Sequence, residues 1–263
     1  MAELPIFDSL SHPTVTGRFL DSSVDTSFET VSRQLRDNGF LGGCAVGMHG
    51  VGDYSHEAYL EACAAHDNLY PVAGFDPRAR DPHAEAGRIS ALGFGAFKLH
   101  PRQAGIVLSE QQLGDILKAA SVHGLVVFLC TYYHSAVAQH PLTDPLFTLV
   151  AALRRAPEAR VVLMHGGGVR VLEYAQLVRH NPNLLLDLSF TALKYRGSSI
   201  DLDVSHVMRH LDRRVCIGVD HPDFDPAALR ARFDTLSDEL DEDRARNVAY
   251  RNITQFLRIP VDA

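Results

Sequence analysis

The sequence has 263 residues, of which 46% are hydrophobic and 22% are charged, and its formal net charge is −7. These proportions are ordinary for a globular protein, and the negative charge argues against nucleic acid as the main partner. No stretch is long and apolar enough for a membrane span, and the N-terminus lacks a signal-peptide pattern. Four cysteines form no CxxC pair. We therefore expect a cytoplasmic protein with reduced thiols that binds neither nucleic acid nor membrane.

Eight short apolar runs, rich in Val, Leu and Phe, alternate with longer segments along the chain. Runs of this kind are typical of strands that are buried on both faces of a parallel sheet. The predicted strands are residues 6–10, 43–48, 69–74, 96–99, 126–130, 161–164, 184–188 and 215–218.

Amphipathic segments of helical length separate these runs. One of them opens on a capping box, in which Ser109 is the N-cap and Gln112 is the third helical residue. The alternation predicts one closed (β/α)₈ barrel over residues 1–263, with a C-terminal helix. The interval 77–93 predicts only a short helix, and 189–199 predicts a loop. The remaining predicted helices cover residues 27–38, 55–66, 109–123, 143–156, 169–180, 201–211, 226–236 and 241–257.

Polar side chains follow several of the predicted strands at the point where each strand ends. Because the carboxyl ends of barrel strands meet at one mouth, we expect these side chains to converge. A thiol at this edge, such as that of Cys130, could bind a soft metal or stay inert. The set comprises Asp8 within the first strand and His12 after it, Lys98 within the fourth and His100 after it, Cys130 at the end of the fifth with Tyr132 and His134 after it, His165 after the sixth, and Asp220 and His221 after the eighth.

The residue types suggest roles, each with a simpler alternative. His165 precedes three glycines, which suits an acid or base at a strand end, or an ordinary loop. Asp220 is a candidate metal ligand or base, or an N-cap. Lys98 and His100 are candidate catalytic residues that position a substrate carboxylate, although Lys98 could simply form a salt bridge. Tyr132, His134 and His221 are predicted to contact the substrate, because loops at this end determine specificity.

Six segments taken together resemble the amidohydrolase superfamily, in particular its amidohydrolase-related branch of hydrolases and decarboxylases. Each segment is weakly specific alone, but all six occur in the family's order over nearly the whole chain. The segments are Asp8 to His12 and residues 72–77, 95–101, 165–168, 218–222 and 252–257.

The resemblance implies a distorted (β/α)₈ barrel with a divalent metal, zinc or manganese, at its mouth. The implied ligands are a His-x-His on the first strand, a histidine on the fifth, an aspartate on the eighth and, as ligand or acid/base, a histidine on the sixth. His12, Asp220 and His165 match this set. Leu10 stands where the first histidine is expected and Cys130 where the fifth-strand histidine is expected. Metal-bound water would attack an amide, ester or lactone, or the metal would polarise a carboxylate for C–C cleavage.

Three hypotheses follow from this incomplete ligand set. In the first, a site with fewer ligands than the family's holds a metal through His12, Asp220 and either His165 or Cys130. In the second, no metal is needed: Asp220 is the general base on water, His165 and His12 orient or protonate, and Lys98 binds a substrate carboxylate. In the third, the barrel binds a ligand or a partner protein without catalysis, and Leu10 fills the metal position. The expected partner is a small polar carbonyl substrate. Many relatives form dimers, so a homodimer is one expected assembly.

Overall fold

The computed structural model describes residues 4–134 and 141–260, and its centre is a sheet of eight parallel strands paired in sequence order. Backbone hydrogen bonds from Ser9 N to Ile217 O (3.2 Å) and from Asp220 N to Leu10 O (2.7 Å) join the last strand to the first. The predicted (β/α)₈ barrel is therefore confirmed. The strands are β1 Ile6–Ser11, β2 Phe40–Val46, β3 Leu69–Gly74, β4 Ala96–Leu99, β5 Val126–Cys130, β6 Arg160–Met164, β7 Leu184–Asp187 and β8 Val215–Cys216.

Eleven α-helices lie in the described part of the chain, and most follow the predicted amphipathic segments. The predicted capping box at Ser109 and Gln112 is present. No helix in residues 4–134 and 141–260 is long and apolar enough to cross a membrane. The helices are α1 Phe28–Asp37, α2 His56–Ala64, α3 Pro82–Ala91, α4 Glu110–Val122, α5 Pro145–Arg155, α6 Val171–His180, α7 Thr191–Lys194, α8 Ser199–His210, α9 Pro226–Ser237, α10 Glu242–Arg246 and α11 Asn252–Leu257.

Two helical intervals differ from the prediction. The predicted loop at residues 189–199 contains the one-turn helix α7, which has no side-chain N-cap and follows Phe190 at a φ of 62°. The predicted final helix is divided by a π-helical turn, Asn247–Arg251, between α10 and α11. Asn252 Nδ2 donates to Val215 O (2.7 Å), which ties this terminal segment to β8. One-turn helices and π turns lack the repeated hydrophobic pattern that a sequence-based prediction relies on.

The strands are buried on both faces, as expected for a barrel covered by helices. Every residue of β1, β4, β5, β7 and β8 is buried. Gly218, just after β8, is held against β1: a Cβ at this position would lie 2.4 Å from Ser9 Oγ and 2.9 Å from Leu10 N. Glycine is therefore required where the last strand approaches the first, which is the seam that carries His12 and Asp220.

The buried carboxyl group of Asp8 connects the two sides of this seam. Its Oδ1 accepts from Leu10 N (3.1 Å) and from Val219 N (2.7 Å), and its Oδ2 accepts from Ser11 Oγ (2.6 Å). Burial raises the pKa of Asp8 to about 6, although these three hydrogen bonds lower it. Since unpaired buried N–H groups are costly, Asp8 stabilises the closure of the barrel.

We predict that Asp8→Ala lowers the free energy of unfolding by about 2–5 kcal/mol, because it leaves two backbone N–H groups buried without an acceptor. Asp8→Asn is the matched control: its carbonyl oxygen accepts from the same two N–H groups, and its amide donates to Ser11. We expect Asp8→Asn to lose less than half as much in urea denaturation. Equal losses for the two variants would show that the hydrogen bonds of Asp8 do not stabilise the seam.

Candidate active site

His12, His165 and Asp220 meet at the barrel mouth, beyond the carboxyl ends of β1, β6 and β8. His12 Nε2 lies 3.7 Å from Asp220 Oδ1, and His165 Nδ1 lies 3.7 Å from Asp220 Oδ2. Their exposed fractions are only 5%, 4% and 7%. The structure thus brings together three residues that are far apart in the sequence, in the way that the strand-end pattern predicts.

Hydrogen bonds from neighbouring strands orient His12. Its Nδ1 lies 2.8 Å from Val46 O at the end of β2, and its backbone N donates to His221 O (3.0 Å). A carbonyl oxygen only accepts, so Nδ1 of His12 carries the proton and Nε2 turns its lone pair toward Asp220. Burial, with the charge of Lys98, lowers the pKa of His12 to about 3. The ring is therefore a neutral imidazole at physiological pH.

A tight loop presents His165. Its φ is 65°, and Gly166, Gly167 and Gly168 also have positive φ, between 54° and 76°. Glycine adopts this left-handed backbone freely. At Gly167 a Cβ would also lie 2.1 Å from the Tyr174 ring. Burial lowers the pKa of His165 well below its ordinary value, so this imidazole is neutral as well.

Asp220 occupies a strained and buried position between the two imidazoles. Its φ is 61°, and the hydrogen bond from its backbone N to Leu10 O fixes it beside β1. Burial raises the pKa of Asp220 to about 8, against the opposing effect of Lys98, and Asp223, Asp187 and Asp8 raise it further. A carboxyl group with a pKa near neutrality can both accept and return a proton.

Lys98, on β4, is fully buried, with 1% of its surface exposed, and its charge lowers the pKa values of His12, His165 and Asp220. Its Nζ has no hydrogen-bond partner among the described residues. Burial lowers the pKa of Lys98, while Cys130, Asp220 and Asp187 raise it. His100 lies two residues further on, accepts from Gln103 N through Nδ1 (3.1 Å) and lines a small cavity with Lys98. An ammonium without a partner at this depth favours an anionic ligand.

The predicted substrate-contacting residues are Tyr132, His134 and His221. The Tyr132 ring packs 5.2 Å from that of His134 and 5.0 Å from that of Phe190, and the latter also lies 5.9 Å from the His165 ring. Tyr132 and His134 therefore belong to an aromatic wall beside His165. His221 is buried, with 2% of its surface exposed. The role predicted for each of these residues stays a prediction.

Sequence reasoning missed three polar residues that border the cluster. Asp187 ends β7 and is buried, and Ser189 follows it two residues later, with its Oγ 3.2 Å from His165 Nδ1. Arg102 lies over the Tyr132 ring, at 5.3 Å, and its charge lowers the pKa values of His100 and His165. Asp187 could have been found, because it ends an apolar run in the same way as His165.

The residues present do not fit the metal site that the resemblance implies. Leu10 is fully buried and supplies no donor atom. The nitrogen of His165 that faces Asp220 is Nδ1, and this nitrogen already contacts Ser189 Oγ. Cys130 is buried, and its Sγ contacts Tyr132 O at 3.8 Å. His12 Nε2 and Asp220 remain, whereas catalytic zinc sites use three protein ligands. Within residues 4–134 and 141–260, no group of three or more His, Cys, Asp or Glu side chains could hold a metal ion.

Comparisons with known proteins give the family. A family model described as "Amidohydrolase" matches residues 23–258. A search of the curated proteins found no match to this sequence.

Solved structures of the same fold are similar over nearly the whole chain. An uncharacterized TIM-barrel protein from Bordetella bronchiseptica has a TM-score of 0.76 and 17% identity, with 97% of this chain and 99% of that chain covered. A putative 2-pyrone-4,6-dicarboxylic acid hydrolase from Pseudomonas putida has a TM-score of 0.72 and 15% identity, with 98% and 99% covered.

The 5-carboxyvanillate decarboxylase from Sphingomonas paucimobilis has a TM-score of 0.69 and 14% identity, with 98% and 100% covered. At these identities the likeness concerns the fold. The family match, which spans most of the sequence, carries the assignment: this chain belongs to the amidohydrolase family, whose members include hydrolases and decarboxylases.

Proposed function

We propose that this protein is a hydrolase that acts on a small carbonyl substrate, an ester, lactone or amide bearing a carboxylate, without a metal ion. The observation that carries the proposal is the position of the Asp220 carboxyl group, which lies 3.7 Å from both His12 and His165. The charge of Lys98, whose Nζ has no hydrogen-bond partner among the described residues, acts on this carboxyl group. This is the second of the three hypotheses drawn from the sequence.

In the proposed reaction Asp220 is the general base. It accepts a proton from water as the water oxygen bonds to the substrate carbonyl carbon, and the carbonyl π electrons move to oxygen. When the tetrahedral intermediate collapses, the bond to the leaving oxygen or nitrogen breaks and that atom takes the proton from Asp220. The neutral imidazoles of His12 and His165 orient the water and the carboxyl group. Proton transfer by a positioned group typically contributes about 10²–10⁴-fold to the rate.

Lys98 supports the choice of an anionic substrate. A buried ammonium is unfavourable unless an anion lies near it, and no side chain in the described residues hydrogen-bonds to Nζ. A substrate carboxylate would provide this partner when it binds. Two relatives with the same fold have names that include a carboxylic acid, 2-pyrone-4,6-dicarboxylic acid and 5-carboxyvanillate, which agrees with this substrate class.

The buried Leu10 agrees equally with the hypothesis of a non-catalytic binding protein. What favours catalysis is the carboxyl group of Asp220, whose pKa of about 8 suits proton transfer near neutrality. A ligand-binding pocket alone would not require an ionisable carboxyl group between two neutral imidazoles.

The first test concerns the substrate carboxylate. We predict that mono-p-nitrophenyl succinate is hydrolysed with a kcat/KM at least about tenfold above that of its methyl ester, which presents the same reactive carbonyl without the charge. A tenfold preference corresponds to about 1.4 kcal/mol. Lys98→Met should remove the preference, whereas Lys118→Met, at an exposed lysine, should preserve it. p-Nitrophenolate release at 400 nm measures the rates of all three proteins with both substrates.

Equal rates for the acid and its methyl ester, or a preference retained in Lys98→Met, would contradict the assignment of Lys98. If a wider panel of esters, lactones and amides is not hydrolysed while an aromatic acid releases CO₂, the protein belongs with the decarboxylases of its family instead.

The second test concerns pH. Because only ionised Asp220 accepts a proton, kcat/KM should rise about tenfold per pH unit below its pKa of about 8 and level off above it. Burial lowers the pKa of Lys98, so a decline should follow at higher pH where the ammonium loses its proton. Asp220→Asn should reduce kcat/KM at least about 100-fold at every pH. Prolonged dialysis against a chelator should leave the wild-type rate unchanged.

Thermal unfolding provides the control that Asp220→Asn is folded. The pKa of Asp220 in the folded protein is raised above its ordinary 3.8, so its ionisation destabilises the folded state as pH rises toward 8. The variant removes this effect, and its Tm at pH 9 should equal or exceed that of the wild type. A fully active Asp220→Asn, or an activity that chelation abolishes and zinc restores, would refute the proposed mechanism.

A further inference from the structure

The segment after β7 holds His165 through three contacts. His165 N donates to Asp187 Oδ1 (3.0 Å), and Thr191 Oγ1 donates to His165 O (2.6 Å). Ser189 Oγ lies 3.2 Å from the ring nitrogen Nδ1 of His165. All three partners are fully buried. The backbone of His165 is therefore fixed independently of its ring, and Ser189 is the hydrogen-bond partner of the ring.

The direction of the hydrogen bond between Ser189 and His165 follows from the other bonds of Asp187. Its Oδ1 accepts from two backbone groups that can only donate, His165 N (3.0 Å) and Ser189 N (3.2 Å). If Asp187 were protonated, the proton would thus be on Oδ2, which faces Ser9 Oγ. Asp187 Oδ1 is an acceptor in either state, so the hydroxyl group of Ser189, which also contacts Oδ1, donates its only proton there.

A hydroxyl group that has given its proton to Asp187 can only accept from His165. The proton of the neutral imidazole must therefore be on Nδ1, and Nε2 must carry the lone pair. Among the described residues, His165 Nε2 forms no hydrogen bond, so this lone pair is available to a ligand or to a reacting proton. The same tautomer occurs in His12, where a carbonyl oxygen rather than a hydroxyl group accepts from Nδ1.

We propose that Ser189, anchored on Asp187, is a positioning residue that fixes His165 as its Nδ1–H tautomer and so leaves Nε2 as the nitrogen that contacts the substrate or the attacking water. The catalytic consequence rests on the proposed function, whereas the tautomer itself does not. Neither Ser189 nor Asp187 touches the reacting atoms in this account, and both act through the imidazole. Outer hydrogen bonds of this kind typically contribute about 10- to 100-fold to activity.

The test is a ¹⁵N–¹H long-range correlation spectrum of protein labelled at the histidine ring nitrogens, at pH 7.5. His165→Gln identifies the His165 signals by their loss. In the wild type, we expect Nδ1 of His165 to show the shift of a protonated nitrogen and Nε2 that of an unprotonated one. In Ser189→Ala the two shifts should move toward each other as the second tautomer becomes populated. Ser189→Thr keeps the hydroxyl group and should keep the wild-type pattern.

Ser205→Ala is the matched control, because its hydroxyl group donates to Asp201 O within α8. It should leave the His165 signals unchanged. A wild-type His165 protonated on Nε2, or a pattern unaffected by Ser189→Ala, overturns the inference whether or not the protein hydrolyses any substrate.

Kinetics provide the second readout. With mono-p-nitrophenyl succinate, Ser189→Ala should lower kcat about 10- to 100-fold and change KM less than about twofold, since the substrate carboxylate binds elsewhere. A loss confined to KM would overturn the positioning role. A wild-type protein that shows the expected tautomer but no hydrolysis would refute the proposed function and leave the tautomer assignment intact.

Discussion

The hydrogen-bonded seam between β1 and β8 is the constraint on which the site depends. Asp220 N donates to Leu10 O (2.7 Å) and His12 N donates to His221 O (3.0 Å), so the ends of the first and last strands are held in one register. A shift of one residue along this seam would turn each side chain to the opposite face. The seam therefore determines that an imidazole from residue 12 and a carboxyl group from residue 220 meet, although 208 positions separate them. Gly218 and Asp8 contribute to the same seam. Gly218 allows the two strands to approach closely, and Asp8 accepts hydrogen bonds from the backbone N–H groups between them.

Burial gives this cluster its chemistry. A carboxyl group and an ammonium in water would be fully charged at neutral pH, but burial raises the pKa of Asp220 to about 8 and lowers that of Lys98. Their mutual attraction opposes both effects without removing them. The result is a buried polar cluster with an Asp220 pKa close to physiological pH, and the ring of Phe190 packs 5.9 Å from that of His165. Such a site is destabilising for the folded protein, which is expected where function rather than stability has selected the residues.

The sequence predicts the barrel and the principal polar residues because both depend on local patterns. Apolar runs predict β6 and β8, and the polar residues that follow those two runs are His165 and Asp220. The strand boundaries are less accurate: β2 begins at Phe40, three residues before its predicted start, because Phe40 and Leu41 are separated from the apolar run by two glycines. The environment of the site could not be predicted. Ser189 lies in an interval without periodicity, and its importance comes from a contact with a residue 24 positions away that depends on the loop after β7.

The imidazole rings of His12 and His165 are oriented by hydrogen bonds from the protein, and this bears on the missing metal ligand at Leu10. In a barrel that holds a metal, the ion fixes which nitrogen of each histidine faces the mouth and which carries the proton. Here Leu10 removes a ligand, and the protein provides the orientation through its own acceptors. Val46 O fixes the ring of His12, and Ser189, held by Asp187, fixes the ring of His165. The positive charge of Lys98 lowers the pKa of Asp220. In the proposed metal-free mechanism, a carbonyl oxygen, a hydroxyl group and an ammonium supply the two properties that a metal ion would bring, which are ring orientation and positive charge.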